Sequence, residues 1–272
     1  MALSLNEDLV RLISDEVLRQ FEGSVDSINS TPPTISPATQ STGQPATGAF
    51  GCPSPRRPAE SRVLTSSLVP NGIPVGVSVR HLHLCRADCD ALFGPDYELR
   101  KLNDLYQHGQ YACEETVAVV GPKGLLNSVR ILGPLRNKTQ VEVARTDAIR
   151  LDCLPPILLS VNEGRAFPVG LVGPRGTVTL DSALIRARRH IHISVDEAAS
   201  LGLRDGDEVD VKVPGGQGLI FCNTRIRAHR DFRAEMHIDT DEGNAAGICC
   251  GQPAFIVDNS AAAHGRCTLC AV

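Results

Sequence analysis

Apolar and polar residues alternate with two different periods along this chain, and the change of period marks its organisation. Leu5, Leu9, Leu12, Ile13, Val17 and Phe21 recur at three- and four-residue steps. Glu7, Asp8, Arg11, Asp15, Glu16 and Arg19 fill the other face, which predicts an amphipathic helix within residues 1–22. From Gly23 to residue 69 the composition turns to Ser, Thr, Pro, Gly and Ala. So few large apolar side chains cannot offset chain entropy, so 23–69 is expected to be a disordered linker. From Ile73 the period shortens to two. Val75–Val79, Thr116–Val120, Ser128–Ile131, Gln140–Ala144, Thr177–Leu180, Glu208–Val213 and Gly218–Cys222 read as strands between Gly, Pro, Asn or Asp turns. Short strands with brief helices between them predict a mainly β fold, two small β-barrels with short capping helices.

One short pattern occurs twice, Arg80-His81-Leu82-His83-Leu84 and Arg189-His190-Ile191-His192-Ile193. A strand sends alternate residues to one face, so each pair of imidazoles shares a face while Leu82 and Ile191 point into a core. Two steps of about 3.3 Å hold the paired Cα atoms roughly 6–7 Å apart, from which two rings can converge on a metal. The two pairs hold half of the eight histidines. Each is followed by an apparent short helix with early acids and a glycine stop, at Gly94 and Gly202. A second echo, Gly121-Pro122-Lys123-Gly124 against Gly173-Pro174-Arg175-Gly176, predicts two hairpins, either as a further part of the repeat or as a common turn used twice, and lacks the pattern of a phosphate-cradling loop.

Composition narrows the function classes. A net charge of −4 without a basic stripe argues against nucleic acid, and absent tryptophan disfavours a base-stacking platform. No apolar run reaches the length of a membrane span, and no secretory core opens the chain. The ten scattered cysteines are expected as reduced thiols in a cytosolic compartment. The helix of residues 1–22 either docks on its own domain or serves as a detachable docking tag.

Four imidazoles could close one structural zinc site, or a duplicated pair could serve two adjacent metals. Glu142, between two valines, and His237, between Met236 and Ile238, alternate with their apolar neighbours and either face such a site or, taken alone, point outward to solvent. Glu114, Glu115, Asp239 and Asp241 compete with them. Cys267-Thr268-Leu269-Cys270, with Cys249-Cys250 upstream, has zinc-knuckle spacing but adjoins a polar tail, and is read as incidental.

Several longer runs carry a resemblance. They are Ser78–Leu84, Leu92–Gly94, Tyr97–Leu99, Glu114–Val117, Val129–Arg136, Gln140–Val143, Ala187–His192 and Glu235–Glu242. Over about residues 73–258 the chain resembles the phosphate propanoyltransferases of bacterial microcompartments, and its first 22 residues resemble an encapsulation peptide. The resemblance implies two β-barrels, the first from 70–79 with 188–258 and the second from 80–187, with a tail at 259–272. It further implies two zinc ions per chain, one held by His81, His83 and Glu142, the other by His190, His192 and His237. Arg136 matches the family's phosphate-site arginine. Cys85 and Cys89 depart from the pattern, as does the cysteine-rich tail.

The implied reaction exchanges coenzyme A, as substrate or product, for phosphate on a short acyl group, inside a cytoplasmic microcompartment whose shell protein residues 1–22 would bind. A zinc pair can neutralise phosphate and polarise a thioester carbonyl, and no cysteine or serine nucleophile is needed. The alternatives are a di-zinc thioester or phosphoester hydrolase and a zinc-stabilised scaffold without catalysis. Acyl-chain preference and oligomeric state, a homo-oligomer included, are left open.

Overall fold

A computed structural model describes residues 62–258. The expected helix within 1–22, most of the expected linker, and the tail with Cys267 and Cys270 lie outside the described residues. The chain reads as two repeats of one unit. After β1 (Arg62–Val63), the first contains β2 (Ile73–Ser78), β3 (His81–His83), α1 (Arg86–Phe93), β4 (Lys101–Asp104), β5 (Tyr111–Val120) and β6 (Leu125–Gly133). It ends with β7 (Gln140–Glu142), α2 (Arg145–Arg150), β8 (Ile157–Leu158) and β9 (Phe167–Val172). The second contains β10 (Thr177–Ala187), β11 (His190–Ile193), α3 (Val195–Ser200), β12 (Glu208–Val213) and β13 (Leu219–Ala228), then β14 (Glu235–Asp239), α4 (Thr240–Ala246) and β15 (Pro253–Asp258).

The protein is mainly β, and its strands close two six-stranded barrels. One circuit runs β5-β6-β3-β7-β10-β9 and returns to β5, with β4 and β8 added at its margins. The other runs β12-β13-β11-β14-β2-β15 and returns to β12, with β1 paired to β15. The circuits correspond strand for strand, including the directions: β3 is parallel to β6 and antiparallel to β7, as β11 is to β13 and β14. The opening strand of each repeat sits in the other repeat's barrel. Thus β2 lies parallel to β14, and β10 lies parallel to β7. The chain crosses between barrels at residues 79–80 and 188–189, immediately before each histidine pair.

Local chemistry accounts for the element limits. Glu208–Val213 forms a strand over its predicted span, whereas β7 stops at Glu142 because Ala144 caps α2. β10 runs on past Leu180 through a register shift before Leu184, where polar Asp181 and Ser182 interrupt the alternation. α3 starts at a capping box in which the Ser194 hydroxyl accepts from Glu197 N–H, and Glu197 accepts in return from Ser194 N–H. Gly94 closes α1 at φ 107°, a left-handed value that an L side chain adopts only with strain.

Two expectations need correction. The linker does not extend to 69: β1 pairs with β15, Val69 is buried and Leu64 packs on the same core, so these apolar residues bring 62–69 onto the barrel. The Gly-Pro-basic-Gly echo does form two hairpins, closed by Gly121 N–H to Gly124 O at 2.8 Å and Gly173 N–H to Gly176 O at 2.9 Å. Both hairpins lie in one barrel, however, so that echo is turn chemistry used twice and is not part of the duplication.

Each barrel has its own core, and the residue between each pair of histidines anchors there. Leu82 and Ile191 are both 0% exposed, in separate clusters. Leu82→Ala and Ile191→Ala should each cost about 2–5 kcal/mol of stability, the range for deleting a buried aliphatic side chain. Urea denaturation reads this directly, and a loss below about 1 kcal/mol at either position would contradict the anchoring role.

Candidate metal and anion site

Strand register assembles two matched clusters. In the antiparallel pair β3–β7, His81 lies opposite Glu142; in β11–β14, His190 lies opposite His237. The second histidine of each pair, two residues on, shares that face. The result is one group of His81, His83 and Glu142 and another of His190, His192 and His237, each with its donor atoms within 4.8 Å of one another. All six residues line one cavity of about 620 Å³ between the barrels. The structure therefore brings together the six residues that the resemblance implies as metal ligands, and Arg136 lines the same cavity.

Hydrogen bonds orient several of the rings. His81 Nδ1 meets Val79 O at 2.8 Å, His83 Nδ1 meets Leu132 O at 3.1 Å and His190 Nδ1 meets Arg188 O at 2.8 Å. With Nδ1 donating to a carbonyl, Nε2 of each neutral ring keeps a free lone pair. His192 is different: it is buried, and neither ring nitrogen has a hydrogen-bond partner. An unsatisfied buried polar group costs about 1–3 kcal/mol, and a cation on the lone pair would relieve that cost. His237 Nε2 lies 3.1 Å from Glu235 Oε2, within ion-pair distance although outside hydrogen-bond angles.

The electrostatics favour the ligating form at four of the six donors, His83, His190, His192 and Glu142. Burial, reinforced by the positive charge of Arg136, lowers the His83 pKa to about 3. Burial and neighbouring His237 lower that of His190 to about 3, and burial with His190 and His237 holds His192 lower still. Burial alone would raise the Glu142 pKa, but charge and hydrogen bonding from His81, with further help from His83 and Gln140, hold it well below the carboxylate range. Burial likewise opposes charge on His81, and adjacent Glu142 more than offsets it. The neutral imidazoles of His83, His190 and His192 and the ionised carboxylate of Glu142 are in ligating form, whereas His81 would give up the proton that Glu142 stabilises on binding a divalent ion. Three donors per cluster leave coordination positions open for substrate.

Two guanidiniums bring positive charge to the cavity. Arg136, whose backbone N–H is tied to Leu84 O at 2.8 Å, and Arg227 both face the cavity without an ion-pair partner among the described residues. The open cavity leaves Arg136 surface area exposed, yet the surrounding protein is dense enough to lower its pKa, with Arg227 adding like-charge repulsion. Arg227 escaped the sequence reading. It lies beside His192 on β13, and only the β11–β13 pairing brings it to the site. The competing acids are engaged elsewhere or structurally: Glu115 with Tyr97 and Arg100, Glu114 with Arg100, Asp239 as the cap of α4, and Asp241 on Thr146. Cys85 donates to Asp88, and Cys89 is buried in the core.

Two barrels with a cavity between them lined by histidines and arginines make a site suited to metal ions and anions. The chain belongs to the phosphate propanoyltransferase family, whose sequence profile matches residues 74–249. It is similar to the phosphate propanoyltransferase of Lachnoclostridium phytofermentans, at 50% identity over 181 residues covering 66% of this chain and 84% of that protein. It is also similar to that of Thermotoga maritima, at 46% identity over 188 residues covering 69% and 90%. A third, from Rhodopseudomonas palustris, is 48% identical over 176 residues, covering 65% and 78%. The protein is accordingly an enzyme, a transferase. Among the described residues no helix is long and apolar enough to cross a membrane.

His192 offers a test that separates a ligand from a packing residue. With chelator present, His192→Leu should leave stability unchanged or raised, because an apolar side chain replaces an unsatisfied polar one. Added Zn²⁺ should then stabilise the wild type but give the variant a markedly smaller shift in thermal midpoint. A large loss of stability in chelator would instead make His192 a structural residue.

Proposed function

We propose that this enzyme transfers a short-chain acyl group between coenzyme A and inorganic phosphate, on a pair of zinc ions held between its barrels. The observation that carries this reading is the presence in one cavity of two three-donor clusters with two arginines that have no ion-pair partner among the described residues. The names of the relatives support the transfer of an acyl group to phosphate. His81, His83 and Glu142 would hold one ion, and His190, His192 and His237 the other. Bound there, the ions supply Lewis-acid polarisation of the thioester carbonyl and neutralise anionic charge.

The remaining work falls to the chain. Arg136 and Arg227 offer planar forks to phosphate oxygens and hold one phosphate oxygen towards the carbonyl carbon. The barrels enclose the reacting groups and restrict the access of bulk water, which would compete with phosphate. A phosphate oxygen bonds to the carbonyl carbon, the carbon–sulfur bond breaks with its electron pair going to sulfur, and acyl phosphate and coenzyme A result. No protein nucleophile is acylated. The thiols of Cys249 and Cys250 are exposed, with Cys250 at the cavity wall, and neither is required for this transfer.

The test is phosphate-dependent release of coenzyme A from acetyl-, propanoyl- and butanoyl-CoA, with acyl phosphate trapped as its hydroxamate. Arg136→Ala should weaken phosphate saturation by roughly 10- to 150-fold, the equivalent of about 1.5–3 kcal/mol for a charge-assisted bidentate contact, while acyl-CoA saturation changes far less. Arg136→Lys should recover only part of the loss. Thiol release without hydroxamate would identify a hydrolase and overturn the proposal.

We further assign residues 1–22, which lie outside the described residues, to packaging within a microcompartment. Their apolar stripe in the sequence supports this, as does the family profile, which begins only at residue 74. Deleting residues 1–22 should leave turnover and zinc content nearly intact, and Leu9→Asp with Ile13→Asp should abolish co-purification of a fused fluorescent cargo with assembled shells. Lost turnover with unchanged packaging would place the segment in the catalytic body instead.

A further inference from the structure

The two clusters are built alike but differ at the third donor, a carboxylate in one and an imidazole in the other. Two residues before each, on the same strand and therefore the same face, stands a polar side chain that contacts it. These are Gln140 before Glu142 and Glu235 before His237. We propose that Gln140 and Glu235 are equivalent positioning residues, each matched in hydrogen-bonding sense to the donor behind which it sits. The inference rests on the reading that the clusters hold zinc.

Gln140 is buried, and Val161 N–H donates to its Oε1 at 2.9 Å. That bond fixes which end of the amide is which, and Nε2 then donates to Glu142 Oε1 at 2.6 Å. One carboxylate oxygen of Glu142 is thereby held, and the other, Oε2, lies 3.5 Å from His81 Nε2. Glu235 is fixed from the other barrel. Gln107 Nε2 donates to its Oε2 at 2.8 Å, and Gln107 is itself clamped by the Arg233 backbone at 3.1 and 3.2 Å. The same Oε2 lies 3.1 Å from His237 Nε2. Room for this carboxylate depends on Gly76, which pairs with His237 in the sheet, since a Cβ there would sit 2.6 Å from Glu235 Oε1.

The logic is reciprocal. A carboxylate donor needs a hydrogen-bond donor behind it, and an amide supplies one. An imidazole needs an acceptor for its second nitrogen, which also raises the basicity of the ring. Glu235 Oε2, 3.1 Å from His237 Nε2, is within reach to supply one, although the angle between them in this structure is not that of a hydrogen bond. Exchanging only one member of either pair breaks the match. Gln140→Glu keeps an acceptor for Val161 N–H but sets two carboxylates against each other. Glu142→His leaves an imidazole facing an amide N–H.

The test uses the full chain, with zinc affinity read by chelator competition and the geometry of each site by Co²⁺ absorption. Isolating one site by His190→Ala or His81→Ala in parallel backgrounds assigns each equivalent. Gln140→Glu should weaken only the equivalent at His81, His83 and Glu142, by about 10- to 100-fold, the usual effect of losing an outer partner of a ligand. Glu235→Gln should weaken only the other. If Glu235→Gln does not fold, Gly76→Ala displaces the same carboxylate by contact. The decisive readout is rescue: Gln140→Glu combined with Glu142→His should bind zinc at least several-fold more tightly than Glu142→His alone. Wild-type affinity in both single variants, or no rescue in the double, overturns the inference while leaving a zinc-loaded wild type in place. A wild-type chain that binds no zinc overturns the metal reading and this inference with it.

Discussion

Placing the first histidine of each pair opposite a third donor in an antiparallel ladder is the constraint on which the rest of the molecule depends. A strand's period of two puts both histidines of a pair on one face, but two imidazoles do not make a site. The opposing strand completes it, at His81 with Glu142 and at His190 with His237. That register is held by apolar anchoring of Leu82 and Ile191 in separate cores. A slip of one residue would turn every donor into a core and expose every anchor. The same strands carry their neighbours into place, so the cavity, the arginines and the outer partners all follow from two short ladders.

Exchange of opening strands joins the two halves into one site. Because β2 and β10 each pair in the other repeat's barrel, the chain crosses between barrels just before each histidine pair. The crossings carry Arg80 and Arg189, which pair with Asp147 and Glu242 on the helices that follow the third donors. Thr146 at the start of α2 bonds Asp241 at the start of α4, at 2.9 Å from its backbone and 2.7 Å from its hydroxyl. Equivalent positions in the two repeats thus meet across the interface. Symmetry of this kind places two clusters in one cavity without requiring them to be identical, and the exchange of carboxylate for imidazole at the third position is where they differ.

Much of this was legible because it is written in local periods. The β class follows from alternating runs, and the duplicated histidine pattern stands out by itself. Glu142 and His237 showed the right alternation, yet so did other acids, and their roles rested on family resemblance. Arg227 could not be found locally, because it reaches the site only through pairing with β11. Gln140 and Glu235 stand two residues before Glu142 and His237 on the same strands, but what marks them out is their contact with Val161 and Gln107, which are distant in sequence. Such long-range pairings leave no period in the chain. The Gly-Pro-basic-Gly echo misleads for the opposite reason, since a turn recurs wherever tight reversal is needed. The segment 62–69 reads as linker by composition, but Leu64 and Val69 bring it onto the barrel.

Everything turns on whether the two clusters each hold a metal ion. Anomalous diffraction at the zinc absorption edge, from crystals of protein purified without added metal or chelator, locates the ions directly. The account predicts two peaks per chain, one bonded by His81, His83 and Glu142 and the other by His190, His192 and His237. A single peak, peaks confined to the cysteines, or none in enzyme that still forms acyl phosphate would contradict it.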